Sequence, residues 1–154
     1  MGVTNTVQTN QPLLTYPLNG SDVNAGTQIP YSALQRTQVI DEKFGQPIGG
    51  TPTTVENIVH VANGAETVIG FHVACYNTGS AASVTFDLKK NGTSILSGVV
   101  TVTNATPSRT KQNATIASPS LVDGDVLSMA LTVSSSTGMQ GPYAQLVLSG
   151  GAPS

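Results

Sequence analysis

The sequence predicts an all-β protein: an antiparallel β-sandwich of jelly-roll or immunoglobulin-like type, preceded by an extended N-terminal arm. From residue 54 onward, short runs rich in Val, Ile and Thr alternate apolar and polar side chains. Asn-Gly, Asp-Gly and other Gly- or Pro-containing pairs separate these runs, as turns do between antiparallel strands. Little of the chain has a helical period, and the spacing of βαβ units is missing. These observations favour a sandwich over a parallel sheet.

The N-terminal arm is predicted over residues 1–53. Five prolines interrupt strands and helices alike in this segment, but its large apolar side chains are too frequent for a disordered tail. We therefore expect it to lie against its own domain, a sister subunit or a partner. Within it, 31–44 fits either a helical turn or a short strand. The arm residues predicted to contact a partner are Leu13, Leu14, Tyr16, Leu18, Ile29 and Tyr31.

The sandwich domain is predicted over residues 54–150, with seven short strands, and is expected to fold without the arm. The predicted strands are 55–62, 66–76, 82–90, 93–103, 109–117, 125–134 and 143–149. Turn chemistry separates them at Asn63-Gly64, 77–80, Asn91-Gly92, 104–107, Asp123-Gly124 and 135–142.

The strand predicted over 93–103 is apolar on both sides. Leu96, Val100 and Val102 share one face, while Ile95 and Val99 lie on the face that the preceding strand gives to charged residues. One interpretation is that another subunit or the arm covers Ile95 and Val99, which makes both candidate partner-binding residues. The other is a bulge at the Ser-Gly pair between them, which shifts the alternation and returns Val99 to the core.

The composition argues against several classes of partner. Charged residues make up 9% of the chain, against ~25% in an average globular protein. The six Lys and Arg form no stripe, so nucleic-acid binding is not expected. No stretch approaches transmembrane length, and the N-terminus lacks a basic region followed by an apolar run. We therefore expect neither a membrane partner nor an export signal.

No constellation of residues predicts an enzyme or a cofactor site. The single Cys75 excludes an intramolecular disulfide framework and a multi-Cys zinc site, and alternation places it on a buried face. His60 and His72 are the only histidines, and His72 falls on the face opposite Cys75, so no nucleophile–base pair is expected. The run Asp123-Gly124-Asp125 resembles part of a calcium loop. It is interpreted as a turn entering a strand, with a weak metal site as the alternative.

Three segments carry a family resemblance: VTFDLKKNGTSIL, ASPSLVDGDVLSMALTVS and the terminal YAQLVLSG. Together with the apolar arm they resemble the small β-domains of tailed-phage virions, particularly capsid decoration (cement) proteins and head- or tail-fibre modules. The resemblance covers 54–150. It implies a homo-oligomer, a trimer in the first place, seated on the lattice of the major capsid protein, with no catalytic residues.

The expected function is therefore to decorate and stabilise a phage capsid from the virion surface. Interfaces built from aliphatic residues and Thr with few charges are typical of permanent assemblies. The first alternative is a receptor-binding or fibre module, although the long shaft of a fibre is missing. The second is a carbohydrate-binding or adhesin-type module, against which the aromatic content of 5% argues because sugars are usually recognised by aromatic faces.

Overall fold

The computed structural model describes residues 36–46 and 49–150. Within these ranges the chain forms eight β-strands and no helix, which confirms the all-β prediction. It follows that no helix of the described part is long and apolar enough to cross a membrane. The strands are β1 (Arg36–Glu42), β2 (Val55–Val61), β3 (Glu66–Lys90), β4 (Thr93–Ser94), β5 (Val100–Thr103), β6 (Gln112–Asn113), β7 (Ser120–Leu121) and β8 (Val126–Gly150).

Two strands of 25 residues each, β3 and β8, form the centre of the sheet and pair antiparallel along their length. The sequence predicted two strands in each of them, with reversing turns at 77–80 and 135–142. That prediction is wrong, because the two segments run alongside each other and keep pairing: Asn77 lies opposite Gln140, and Ala81 lies opposite Thr137. The predicted turn residues therefore bend a continuous ribbon and do not reverse it.

Two glycines with left-handed backbone make this bend. Gly79 has φ +72° and Gly138 has φ +73°, and the pairing register shifts beside them between Thr78 and Ala81. A Cβ atom on Gly79 would lie 2.3 Å from the carbonyl oxygen of Thr137, so the two backbones approach too closely for a side chain. The N–H of Gly79 also donates to Asn77 Oδ1 at 2.9 Å. An extra residue at such a bulge bends the strand and increases its twist.

The remaining strands flank the central ribbon on its two sides. β1 pairs with the C-terminal half of β8 and β2 with its N-terminal half. β4 and β5 pair with the C-terminal part of β3, and β6 and β7 with its N-terminal part. All these pairings belong to one antiparallel sheet, curled into a half-barrel. The two separate sheets of a sandwich are not confirmed.

Two of the predicted shorter strands are mostly irregular. The strand predicted over 93–103 is interrupted between β4 and β5, and the one predicted over 109–117 is reduced to β6. An isolated bridge between Leu96 and Ile116 joins the two interrupted segments. The hairpin turn predicted at Asn91-Gly92 is confirmed, since these residues have φ +50° and +82°.

The core fills the inner side of the curled sheet, and it includes a residue from the predicted arm. Phe44 follows β1 directly, is 2% exposed, and meets the ring of Phe86 edge-on with 5.7 Å between centroids. In the segment 31–44, for which the sequence fits either a helical turn or a strand, the described residues form strand β1 over Arg36–Glu42, and 31–35 lie outside the described residues. Both β1 and Phe44 precede residue 54, yet they belong to the sheet and to its core.

Candidate functional site

The predicted partner-contact residues of the arm, Leu13, Leu14, Tyr16, Leu18, Ile29 and Tyr31, lie outside the described residues. The two predicted contact residues after β4 have different environments. Ile95 is 3% exposed and belongs to the core, whereas Val99 is 49% exposed. The cause is the interruption between β4 and β5: Ile95 and its neighbour Leu96 are both buried, which a regular strand does not allow. Ile95 is therefore buried within its own domain, whereas Val99 is exposed and does not return to the core.

The most exposed aliphatic side chains on strands lie on β1, in the predicted arm, and on β2, and none of them is among the candidate contact residues predicted from the sequence. Ile58 is 71% exposed, and Val39 and Val61 are each more than half exposed. Both strands pair with β8 on one side, and in the described part of the chain neither has a second strand neighbour. We call Val39, Ile58 and Val61 the apolar edge. It combines aliphatic side chains with the backbone N–H and C=O groups of two unpaired strand edges.

Apolar residues follow the outer face of the sheet from β1 to β3, but not all of them are exposed. Val39 lies opposite Val147 of β8, which is half-buried, and Val147 lies opposite the buried Gly70 of β3. The neighbour of Gly70 at the register shift, Ile69, is more than half exposed. Val39 and Ile69 are therefore two separate exposed apolar side chains on this face.

Charged groups near β2 are paired with each other. Lys89 Nζ lies 2.7 Å from Glu56 Oε2, and the hydroxyl of Ser128 donates to the other oxygen of Glu56 at 2.6 Å. The ammonium of Lys89 and the Ser128 hydroxyl hold the pKa of Glu56 below its ordinary value. The outer face beside Ile58 therefore carries little unbalanced charge.

The Asp123-Gly124-Asp125 run forms a turn, and its carboxylates bind backbone and amide groups. Asp125 accepts hydrogen bonds from the N–H of Val122 at 2.9 Å and from the Asn91 side chain at 2.6 Å. Asp123 accepts one from the N–H of Gly64 at 3.1 Å. The described residues contain no group of three His, Cys, Asp or Glu side chains placed to hold a metal ion. These carboxylates thus join three turns at one end of the sheet.

The hydrogen bonds that Asp125 accepts predict how the stability of the fold depends on pH. The N–H of Val122 and the Asn91 amide hold the pKa of Asp125 below its ordinary 3.8. Because the folded pKa is lower than the unfolded one, the stabilisation is complete above 3.8 and is lost as pH falls through the folded pKa. We expect a thermal midpoint that is nearly constant from about pH 7 to 5 and falls below about pH 4. Asp125→Asn should lower the midpoint at neutral pH and reduce the fall in acid.

The matched control for that measurement is Asp87→Asn, which removes a carboxylate that accepts a bond from the exposed Ser94 hydroxyl. Calorimetry of the three proteins from neutral to acid pH measures the difference. If Asp125→Asn has the same thermal midpoint as the wild type at neutral pH and the same fall of the midpoint in acid, the hydrogen bonds to Asp125 do not stabilise the fold.

The two histidines and the cysteine lie on strands β2 and β3, and their surroundings are those of the folded sheet. His60 Nε2 lies 2.6 Å from Glu66 Oε2, which joins the end of β2 to the start of β3. Burial raises the pKa of the Cys75 thiol to about 11, so the thiol is protonated at neutral pH and is a poor nucleophile. His72 lies on the other face of β3, as the alternation predicted, since its partner Gln145 alternates with the buried Ala144 and Leu146.

Comparison with known proteins does not assign a family or a function to these features. No protein-family model matches the chain, and no curated protein matches it.

Proposed function

We propose that this protein is a structural component of a virion that binds the lattice of the major capsid protein and stabilises the shell, acting as a homo-oligomer and in the first place as a trimer. The observation that carries the proposal is the apolar edge: three exposed aliphatic side chains on two strands that have no second strand neighbour among the described residues. The resemblance of 54–150 to capsid decoration proteins supports the same function.

The energetics of the apolar edge favour an oligomer over a single copy. Burying an aliphatic side chain contributes ~1.5–3 kcal/mol, so the three residues supply roughly 5–9 kcal/mol. Association itself costs ~4–15 kcal/mol in lost freedom of motion, which leaves little or no net affinity for one copy. Linking several copies makes the later contacts intramolecular and raises the overall affinity without new contacts. A repeating capsid lattice offers the matching repeated sites.

The strand edges provide a second source of affinity. A partner strand that pairs with β1 or β2 satisfies their free backbone groups, and the side chains of the apolar edge then contact alternate positions of that strand. The neighbouring charges are already paired within the chain, as the Lys89–Glu56 pair shows. Attachment should therefore depend weakly on salt, because exposed ion pairs contribute only ~0–1 kcal/mol and are screened.

Co-sedimentation with empty shells of the major capsid protein tests this function. We expect the wild-type protein to sediment with the shells equally at low salt and at about 0.5 M salt. A triple variant with Val39→Thr, Ile58→Thr and Val61→Thr keeps β-branched side chains on the strands and should lose attachment. The control is Val122→Thr, which changes a side chain of similar exposure in a loop and should leave attachment intact.

Three results would contradict the proposal. They are a steep loss of binding at high salt, a triple variant that binds like the wild type, and light scattering that finds only monomers at micromolar concentration. Binding to host cells in place of shells would favour the receptor-binding alternative.

A further inference from the structure

A cavity of about 450 Å³ opens beside the C-terminal end of β1, and no residue of the apolar edge lines it. Four separate parts of the chain line it: the segment after β1, residues 74–76 of β3, Arg109, and residues 141–143 of β8. Its volume falls in the range of small-molecule sites, ~300–1,000 Å³. None of the structural roles described above uses it.

Arg109 is the fixed polar group of this cavity. Its backbone has φ +59°, and its N–H donates to the carbonyl oxygen of Cys75 at 2.8 Å. Its guanidinium carbon lies 4.3 Å from the centre of the Tyr76 ring. This cation–π contact places the exposed guanidinium over the face of the ring, and the N–H groups of a guanidinium form a planar fork that suits a carboxylate.

The cavity also has a second cation with no partner in an ion pair. Lys43 lines the cavity together with Arg109, and none of the ion pairs in the described part of the chain includes either residue. Two carboxylates precede Lys43 in the chain: Glu42 accepts a hydrogen bond from the N–H of Phe44, and Asp41 accepts hydrogen bonds from the hydroxyl of Tyr143 and from Gln145. The charge of Lys43 also helps to lower the pKa of Asp41, after the hydrogen bonds from Tyr143 and Gln145, so Lys43 is partly balanced and Arg109 is the main positive group that the cavity offers to a ligand.

Apart from the amide of Gln46, the rest of the lining is apolar or aromatic. Ala74, Cys75 and Pro142 contribute small apolar surfaces, and the Cys75 thiol is uncharged at neutral pH because burial raises its pKa. The ring of Tyr143 is held in place by the bond from its hydroxyl to Asp41. On the other side of Arg109 a second cavity includes Asn77 and Ser108 in its lining, so the guanidinium stands between an apolar space and a polar one.

We propose that this cavity is a binding site for a small carboxylate with a flat apolar body, in which Arg109 binds the carboxylate, Lys43 adds long-range attraction, and the Tyr143 side of the cavity holds the body. A flat body matches the two aromatic rings in the lining, and a carboxylate matches the planar fork of a stacked guanidinium. Inorganic phosphate fits less well, because it offers nothing to the apolar walls.

Titration of the full ¹⁵N-labelled chain with benzoate tests the site, with benzamide as a neutral probe of the same shape and inorganic phosphate as an anion without a ring. We expect benzoate to produce saturable shifts in the amide signals of 74–76 and Arg109. Benzamide and phosphate should each bind at least about tenfold more weakly, the loss of one charge-assisted hydrogen bond being worth that factor or more.

Variants separate a specific site from general attraction. Arg109→Gln should weaken benzoate binding at least about tenfold, and Arg109→Lys should recover only part of it, because an ammonium lacks the planar fork. Lys111→Gln removes the same charge two residues away at an exposed position outside the lining and should leave binding unchanged. Preserved dispersion of the remaining amide signals shows that each variant is folded.

Four outcomes would overturn the proposal. They are benzoate shifts that do not saturate, benzamide binding as tightly as benzoate, phosphate producing the same shifts with the same affinity, and equal losses in Arg109→Gln and Lys111→Gln. None of these outcomes depends on capsid binding. A negative result here therefore leaves the proposed structural function untouched, and a failure to bind capsid shells leaves the proposed carboxylate site untouched.

Discussion

Gly79→Ala is expected to lower the free energy of unfolding by about 2–5 kcal/mol. Two costs add. An L-residue held at φ +72° costs ~1–2 kcal/mol, and forcing a methyl group into a packed site costs ~1–3 kcal/mol. The new Cβ would lie 2.3 Å from the oxygen of Thr137 and 2.7 Å from the nitrogen of Met139. Both are backbone atoms of β8, so no side-chain rotation relieves the clash, and the central ribbon has to move.

Two further glycine variants separate these costs. Gly92→Ala introduces the same left-handed strain at φ +82°, but no atom lies within 4 Å of its added Cβ, so only ~1–2 kcal/mol should be lost. Gly98 has neither a left-handed φ nor an atom within 4 Å of an added Cβ. The free energy of unfolding of Gly98→Ala should therefore stay within ~0.5 kcal/mol of the wild type. Urea unfolding followed by circular dichroism ranks the three. Equal losses in Gly79→Ala and Gly92→Ala would show that the close approach of β3 and β8 does not matter.

The same glycines explain why the sequence predicted strands correctly but divided them wrongly. Alternation in β3 and β8 is a local property and survives in the fold, so the strand segments were found. Gly, Asn and Pro at 77–80 and 135–142 indicate only that the backbone leaves regular β geometry. Whether the chain then reverses or bends depends on whether a neighbouring strand continues alongside. Since β3 and β8 bend together at Gly79 and Gly138, the decisive information is a contact between distant segments.

The exposure of the candidate contact residues could not be predicted for the same reason: it depends on contacts between distant segments. The predicted exposure of Ile95 assumed a regular strand, and it fails because the chain leaves the sheet between β4 and β5. The exposure of Ile58 was missed because the free edge of β2 results from which strands flank β8. The carboxylate cavity unites four distant segments, and nothing local marks Arg109 as a residue with positive φ. The turns at Asn91-Gly92 and Asp123-Gly124, in contrast, each have a local sequence signal sufficient to identify them.

Phe44→Ala is expected to lower the free energy of unfolding by about 3–5 kcal/mol, although the residue belongs to the segment that the sequence assigned to the arm. Its ring is fully buried and packs edge-on against Phe86, at the point where the chain leaves β1. The backbone of Phe44 has φ +54°, a strained conformation that the packing of the ring has to offset. Alanine keeps the strain and loses the packing, whereas Phe44→Leu keeps most of the buried volume and should cost clearly less.

Two truncated chains extend this prediction to the whole of β1. A chain that begins at Tyr31 retains β1 and Phe44 and should unfold in one cooperative transition. A chain that begins at Thr51 lacks both, exposes the edge of β8 that pairs with β1, and leaves Phe86 without its aromatic neighbour. The sequence alone predicts that residues 54–150 fold without the arm, but because β1 and Phe44 belong to the sheet and its core, we expect this chain to lose at least as much stability as Phe44→Ala and to aggregate through the exposed edge. Thermal unfolding and size-exclusion chromatography compare the two chains. If the chain from Thr51 is monomeric and as stable as the chain from Tyr31, β1 and Phe44 only pack against a domain that is already complete.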